Sequence, residues 1–148
     1  MLTAVKGQSA PIPTRIMAGV VCAALMALLI TAARLEPNIA GHGTHTQLGM
    51  PPCGWVMAFS KPCPTCGMTT SFVHAANLDL WDSIKVQPAG ALLAMFAAVG
   101  FWPALWIAIT GSQLASVLGI LTRPRIVWVF VGLIFVAWMY KIAIWPAR

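Results

Sequence analysis

The chain has 148 residues, of which 59% are hydrophobic and 8% are charged, with a mean hydropathy of +0.84. Soluble domains are about 45–50% apolar and about 25% charged, so this composition excludes an ordinary soluble protein. Nine Lys and Arg against three Asp and Glu give a net charge of +6. The basic residues are scattered singly, without interleaved aromatic side chains, which argues against nucleic-acid binding. We therefore expect the lipid bilayer as a partner and no nucleic acid.

Three segments lack the polar residues that a soluble fold needs: residues 16–33, 89–110 and 126–144. A helix of about 20 apolar residues crosses the roughly 30 Å hydrocarbon core, so each segment can span a membrane. The only formal charge within them is Lys141, near the end of the third segment, where we expect its long side chain to reach the headgroups. The sequence predicts an all-α integral membrane protein with one membrane domain over residues 1–148.

The first segment has two interpretations. Arg15 precedes it and small residues follow at its end, as in a cleaved signal peptide. Its length favours a retained anchor, because the apolar regions of signal peptides usually run for about 7–15 residues. Basic residues are nearly balanced between the two sides of the three spans, and only Lys6 and Arg15 before the first span favour a cytoplasmic N-terminus. The loop between the first two spans would then face outward.

That loop, residues 34–88, holds most of the reactive side chains. Its glycine- and proline-rich first half is expected to be irregular. Apolar spacing predicts a short helix over residues 68–76, and Asp79 is placed to cap a second over residues 80–86. Both would lie near the membrane interface. Hydroxyl side chains follow the cysteines, and we expect one of them to cap the first short helix: Thr69, Thr70 and Ser71.

Three cysteines lie in this loop: Cys53, Cys63 and Cys66. Two residues separate the last pair, and this spacing is typical of two kinds of site. Such a pair can bind a metal, or it can close and reopen a disulfide. If the loop faces outward, a disulfide of Cys63 with either Cys66 or Cys53 is expected. A zinc site needs four ligands, and His74 is the nearest histidine after Cys66, with His42 and His45 as upstream alternatives. Buried thiols without a further role are the third possibility, and Cys22 in the first span is interpreted in that way.

The residues around the last pair resemble the bacterial membrane-protein family of domain of unknown function 2752. The resemblance rests on a Cys-Pro-x-Cys-Gly-x-Thr motif and on positions that follow it: Cys63, Pro64, Cys66, Gly67, Thr69, Leu78, Asp79, Leu80 and Pro88. Cys53 also falls where relatives commonly carry a cysteine. Two positions depart from the family pattern, which has arginine where this chain has Thr70 and asparagine where it has Gln87. The resemblance covers residues 53–101 and implies a bacterial multi-span membrane protein, without implying an activity.

We therefore expect a multi-pass protein of the bacterial inner membrane that acts as a non-enzymatic subunit or accessory factor beside other membrane-protein subunits. Its loop would bind zinc through Cys53, Cys63, Cys66 and His74. The alternative is a membrane thiol–disulfide oxidoreductase with Cys63 and Cys66 as catalytic residues. A metal-handling transport component, using the same ligands and Met68, is a further alternative. Hydrolytic enzymes are disfavoured because no nucleophile elbow, phosphate loop or metalloprotease helix is present.

Overall fold

The structure, a computed structural model, describes residues 10–112 and 124–145, and these residues contain helices and no strand. In chain order the elements are α1 (Ile12–Arg34), a 3-10 turn (Thr44–Leu48), α2 (Gly54–Phe59), α3 (Met68–Ala76), α4 (Leu80–Val86), α5 (Pro88–Thr110) and α6 (Pro124–Ile144). In the described part of the chain, three helices are long and apolar enough to cross a membrane: α1, α5 and α6. The predicted all-α fold class is confirmed, and these helices fit a multi-pass membrane protein.

The long helices leave large apolar side chains uncovered. Ile16, Val99 and Val136, one from each long helix, are 62%, 67% and 65% exposed. A soluble protein rarely exposes contiguous apolar surfaces of this kind, whereas lipid covers them without cost. The exposed faces therefore support the bilayer as the surroundings of α1, α5 and α6.

Helices α1 and α5 pack against each other in antiparallel directions. Arg15, near the start of α1, donates to the backbone oxygen of Ile109 at 2.9 Å and to that of Ala108 at 3.4 Å. The last carbonyl groups of a helix have no partner within the helix and carry partial negative charge, so a guanidinium there satisfies and stabilises them. This contact fixes the start of α1 at the end of α5.

The short helices α3 and α4 pack against α5 on the loop side of the molecule. Ser71 is fully buried and its Oγ lies 2.9 Å from the backbone oxygens of both Ser83 and Gln87. An added Cβ on Gly90 would lie 2.9 Å from the Cβ of Ser71, so only glycine permits the observed approach of α5 to α3. This small residue in α5 thus permits close packing against α3.

The hydroxyl residues at the start of α3 do not cap it. The N-cap is Gly67, and no side chain donates or accepts at that end. Thr70 instead shares a 2.8 Å hydrogen bond with Thr44 of the 3-10 turn, and both are fully buried. The capping prediction was wrong because Thr70 and Ser71 form hydrogen bonds with other segments instead. The predicted bounds of the two short helices and the cap by Asp79, which accepts from the Asp82 amide at 3.3 Å, are confirmed.

Helix α6 is joined to the loop by polar side chains. Trp138 Nε1 donates to the backbone oxygen of Pro62 at 3.0 Å, and Tyr140 Oη donates to that of Lys85 at 3.1 Å. Lys141 is only 4% exposed and donates to the carbonyl oxygens of Gly41 at 3.1 Å and Val86 at 3.0 Å. The expectation that Lys141 reaches the headgroups was wrong, because its ammonium group finds carbonyl acceptors inside the protein.

Candidate thiol site

Two of the loop thiols, those of Cys53 and Cys63, are in contact. Their Sγ atoms lie 3.7 Å apart, both residues are half-buried, and both are free thiols. A disulfide has an S–S distance of about 2.05 Å, so a small movement of either side chain would bring the sulfurs to bonding distance. The two cysteines are ten residues apart in the chain. The pair is therefore prepared for disulfide formation without a rearrangement of the fold.

Local backbone structure places each of these cysteines. Cys53 is the N-cap of α2, directly after two prolines. Ser60 ends α2 in the left-handed conformation, with a φ of 53°, and this reverses the chain toward Cys63. The Trp138 hydrogen bond to Pro62 then holds the returning segment against α6. The thiol pair thus depends on a loop that is fixed from the third span.

The turn from Cys63 to Cys66 is closed by a hydrogen bond from the Cys66 amide to the Cys63 carbonyl oxygen at 3.0 Å. Gly67 follows with a φ of 84°, and an added Cβ there would lie 2.6 Å from the carbonyl oxygen of Gly41. Gln87, fully buried, holds the same turn by donating from Nε2 to the Pro64 carbonyl oxygen at 3.3 Å. The turn is therefore packed between two other segments of the loop region.

Cys53 and Cys66 differ in how readily they ionise. The pKa of Cys53 is lowered, chiefly by the backbone amide of Val56 and also by the hydrogen bond with Cys63, against an opposing effect of burial. The pKa of Cys66 is raised to about 11, first by burial and then by the neighbouring charge of Cys63, which the Lys141 ammonium only partly offsets. The thiolate is the nucleophile in sulfur chemistry, so Cys53 is better suited to attack and Cys66 stays protonated at neutral pH.

All three thiols line one large cavity of about 1150 Å³. One side of the cavity is formed by α1 and α5, through residues such as Leu25, Leu28, Leu93 and Phe96. The loop forms the other side and brings the cysteines together with His42 and His45. A thiol pair therefore lies at the wall of a mainly apolar chamber whose far side is built from membrane-spanning helices.

His74 lies elsewhere. Its Nδ1 shares a 3.1 Å hydrogen bond with Oδ2 of Asp79, and His74 is not among the residues that line the cavity. Over residues 10–112 and 124–145, no three His, Cys, Asp or Glu side chains come together as a metal-binding group. The structure thus brings Cys53 and Cys63 into contact and leaves His74 paired with a carboxylate. Zinc binding by the four predicted residues stays a prediction.

Sequence spacing indicated Cys63 and Cys66 as the reactive pair, whereas the sulfur–sulfur contact is between Cys63 and Cys53. The sequence allowed Cys53 as the disulfide partner of Cys63 for an outward-facing loop, but it did not favour Cys53 over Cys66. Lys141 was missed as a neighbour of the site, since its contacts with Gly41 and its charge effect on Cys66 depend on how α6 packs against the loop.

A family model with the description "Protein of unknown function (DUF2752)" matches residues 53–101. The resemblance is thus confirmed over the segment that contains the three loop cysteines, α3, α4 and the first part of α5. No curated protein and no solved structure gives a significant match to this chain. The function must therefore be argued from the site.

Proposed function

We propose that this chain is a membrane thiol–disulfide oxidoreductase in which Cys53 and Cys63 form and break one disulfide. The observation that carries the proposal is the 3.7 Å contact between their sulfur atoms in a half-buried loop. The lowered pKa of Cys53 supports it, because redox-active cysteines form thiolates more easily than structural ones. This is the alternative function expected from the sequence, with Cys53 in the place of Cys66.

The exchange reaction follows from the properties of the two thiols. A thiolate of a substrate dithiol attacks Sγ of Cys63 in the oxidised pair, and Cys53 leaves as a thiolate, which its lowered pKa favours. The second substrate thiolate then attacks the substrate sulfur of the mixed disulfide, and Cys63 is released. The substrate loses two electrons and gains a disulfide, and the Cys53–Cys63 disulfide becomes a dithiol.

The location that fits this activity is the bacterial inner membrane with the loop on the outer side. Disulfides form and persist outside the cytoplasm, whereas cytosolic thiols are kept reduced. Lys6 and Arg15, which precede the apolar segment 16–33, support this orientation, because a cytoplasmic N-terminus places the loop outward. Proteins with free thiol pairs in the same compartment, including other membrane-protein subunits, are then the substrates.

The competing proposal is a non-enzymatic accessory subunit whose loop is held by zinc on Cys53, Cys63, Cys66 and His74. One observation favours it: three thiols line the same cavity. The pairing of His74 with Asp79 does not argue against it by itself, because zinc-bound histidines commonly donate their second ring nitrogen to a carboxylate. The two proposals predict different thiol and metal contents.

The test is thiol counting and metal analysis on protein purified in detergent without reductant. We expect two thiols to be hidden until reductant is added in the wild type, in Cys66→Ser and in the control Cys22→Ser. Cys53→Ser and Cys63→Ser should show no hidden thiols. A disulfide that persists in Cys53→Ser and disappears in Cys66→Ser would overturn the pairing.

Two further results would overturn the activity. One tightly held zinc per chain, lost in Cys63→Ser, would establish the accessory-subunit proposal. A Cys53–Cys63 disulfide that stays closed in a glutathione buffer as reducing as the cytosol would make the bond structural, because exchange-active disulfides are reduced under such conditions. We expect the pair to titrate within the range of glutathione buffers and to oxidise a dithiol peptide.

A further inference from the structure

The cavity beside the thiol pair is open to molecules that reside in lipid. Its α1 and α5 side includes Leu28 and Phe96, which are 47% and 51% exposed on helices that are long and apolar enough to cross a membrane. Cys53 and Cys63 form part of the opposite side. A molecule that enters from the bilayer along the exposed apolar side chains of these helices would therefore meet the thiols without passing through water.

Each turnover of the proposed exchange reduces Cys53 and Cys63, so a continuing reaction needs an acceptor of two electrons and two protons. We propose that the cavity binds a lipid-soluble quinone, which reoxidises this thiol pair; the inference rests on the proposed function. A quinone fits the chamber because its ring and isoprenoid tail are apolar and its only polar groups are two ring oxygens. The cavity of about 1150 Å³ exceeds the usual upper size of about 1000 Å³ for small-molecule pockets, which leaves room for part of the tail.

The chemistry balances with these components alone. The Cys53 thiolate attacks a ring carbon of the quinone and forms a carbon–sulfur bond. The Cys63 thiolate then attacks Sγ of Cys53, the sulfur–sulfur bond forms, and the carbon–sulfur bond breaks with its electron pair returning to the ring. The two thiol protons end on the two ring oxygens. The dithiol becomes a disulfide and the quinone becomes a quinol.

Polar groups in the cavity wall can form hydrogen bonds with the two ring oxygens of the quinone. His45 lines the cavity, and its Nε2 lies 3.2 Å from the carbonyl oxygen of Pro51. A carbonyl oxygen only accepts, so Nε2 donates in this contact, and in the neutral ring Nδ1 is then an acceptor. Within the described residues Nδ1 makes no hydrogen bond, which leaves it available to accept one from a quinol hydroxyl group. A few polar groups in a mainly apolar pocket are typical of ligand sites.

A matched pair of substitutions on α1 tests the site. Leu28 lines the cavity, whereas Ile30, on the same helix, does not, and the two are 47% and 45% exposed. Leu28→Trp places an indole in the chamber, and Ile30→Trp adds the same group on the opposite side of α1. Neither residue belongs to the thiol pair, so both variants should keep the disulfide chemistry.

The reduced protein is mixed without oxygen with a short-tailed ubiquinone or menaquinone, and quinone absorbance and free thiols are followed together. We expect one quinol for each disulfide formed in the wild type and in Ile30→Trp, with Leu28→Trp slower by about tenfold or more, a loss of about 1.4 kcal/mol. Diamide, a water-soluble thiol oxidant, should oxidise all three at the same rate.

The outcomes separate the two proposals. If diamide closes the Cys53–Cys63 disulfide but neither quinone does, the quinone site is overturned and the thiol–disulfide activity stands. Equal quinone rates in Leu28→Trp and Ile30→Trp would also overturn the site, since the quinone would then act elsewhere. If the cavity retains a phospholipid that quinone does not displace in native mass spectrometry, it is a lipid site instead. If neither oxidant closes the disulfide, both proposals fail.

Discussion

The ammonium nitrogen of Lys141 lies 3.1 Å from the carbonyl oxygen of Gly41, a residue one hundred positions earlier in the chain. This contact joins the third membrane-spanning helix to the start of the cysteine loop. The same ammonium donates to Val86, at the end of α4, and lies near enough to influence the charge state of Cys66. One lysine therefore connects α6, the two ends of the loop and the thiol site.

Replacing Lys141 should loosen the loop. Lys141→Met keeps the long apolar stem but leaves the carbonyl groups of Gly41 and Val86 without this donor. Each buried group without a partner costs about 1–3 kcal/mol, so we expect a clearly lower free energy of unfolding. Thermal unfolding in detergent measures the loss, and faster alkylation of Cys66 should accompany it as the turn is exposed.

Lys85→Met is the matched control for that substitution. Lys85 Nζ pairs with Asp82 at 2.9 Å on the exposed surface of α4, with the Lys85 side chain 54% exposed. Exposed pairs of this kind contribute about 0–1 kcal/mol, so unfolding should change little. Equal destabilisation by the two substitutions would show that the buried hydrogen bonds of Lys141 contribute no more to the free energy of unfolding than the exposed ion pair of Lys85.

Gly90 and Gly132 should respond in opposite directions to alanine. An added Cβ at Gly90 would lie 2.9 Å from the Cβ of Ser71 and 3.0 Å from the carbonyl oxygen of Met68, so α5 and α3 must separate. Overpacking of this kind costs about 1–3 kcal/mol. At Gly132 nothing lies within 4 Å, and alanine favours the helix by about 1 kcal/mol.

The unfolding midpoints of Gly90→Ala and Gly132→Ala measure this difference directly. A Gly90→Ala protein as stable as the wild type would mean that α3 does not pack closely against α5. Thiol counting on the same variants provides a second measurement, because α3 directly follows the turn that contains Cys66.

Arg15→Gln should weaken the packing of α1 against α5. The substitution removes the charged hydrogen bonds to Ala108 and Ile109 at the end of α5. We expect a loss of about 1 kcal/mol, near the value for a typical hydrogen bond since the contact is partly exposed. Arg125→Gln is the control, because Arg125 is exposed on α6 and the same charge is removed. Equal unfolding midpoints for the two variants would contradict this role of Arg15.

Local features of this fold could be predicted from the sequence, and long-range ones could not. Hydrophobic spacing and the Asp79 cap fix α3 and α4 within a few residues, so their bounds were correct. The approach of Cys53 to Cys63 depends on the loop being held by Trp138, which is 76 residues from its acceptor Pro62. No pattern within the loop sequence indicates the hydrogen bond between Trp138 and Pro62. The burial of Lys141 escaped prediction for the same reason.

Cys53 and Cys66 should react with iodoacetamide at different pH values, because only the thiolate reacts. Cys53, with its lowered pKa, should be labelled while the pH is still below the ordinary thiol value of 9.0. Cys66, with a pKa of about 11, holds about a hundredfold less thiolate at neutral pH than an ordinary thiol and should be labelled later. Peptide mass spectrometry after timed labelling of the reduced protein gives each rate.

The raised pKa of Cys66 also makes stability depend on pH. In the unfolded chain this thiol ionises near 9.0, and in the folded chain only near 11. The folded state therefore favours the protonated thiol. The contribution of Cys66 to the free energy of unfolding is fully present below pH 9 and is lost as the pH rises from 9 to 11. Cys66→Ala should remove that part of the alkaline destabilisation, whereas Cys22→Ala should keep it. If Cys66 is labelled as fast as Cys53 at neutral pH, its thiol is not buried beside the pair. Cys63 and Cys66 would then be the better candidates for the reactive thiols.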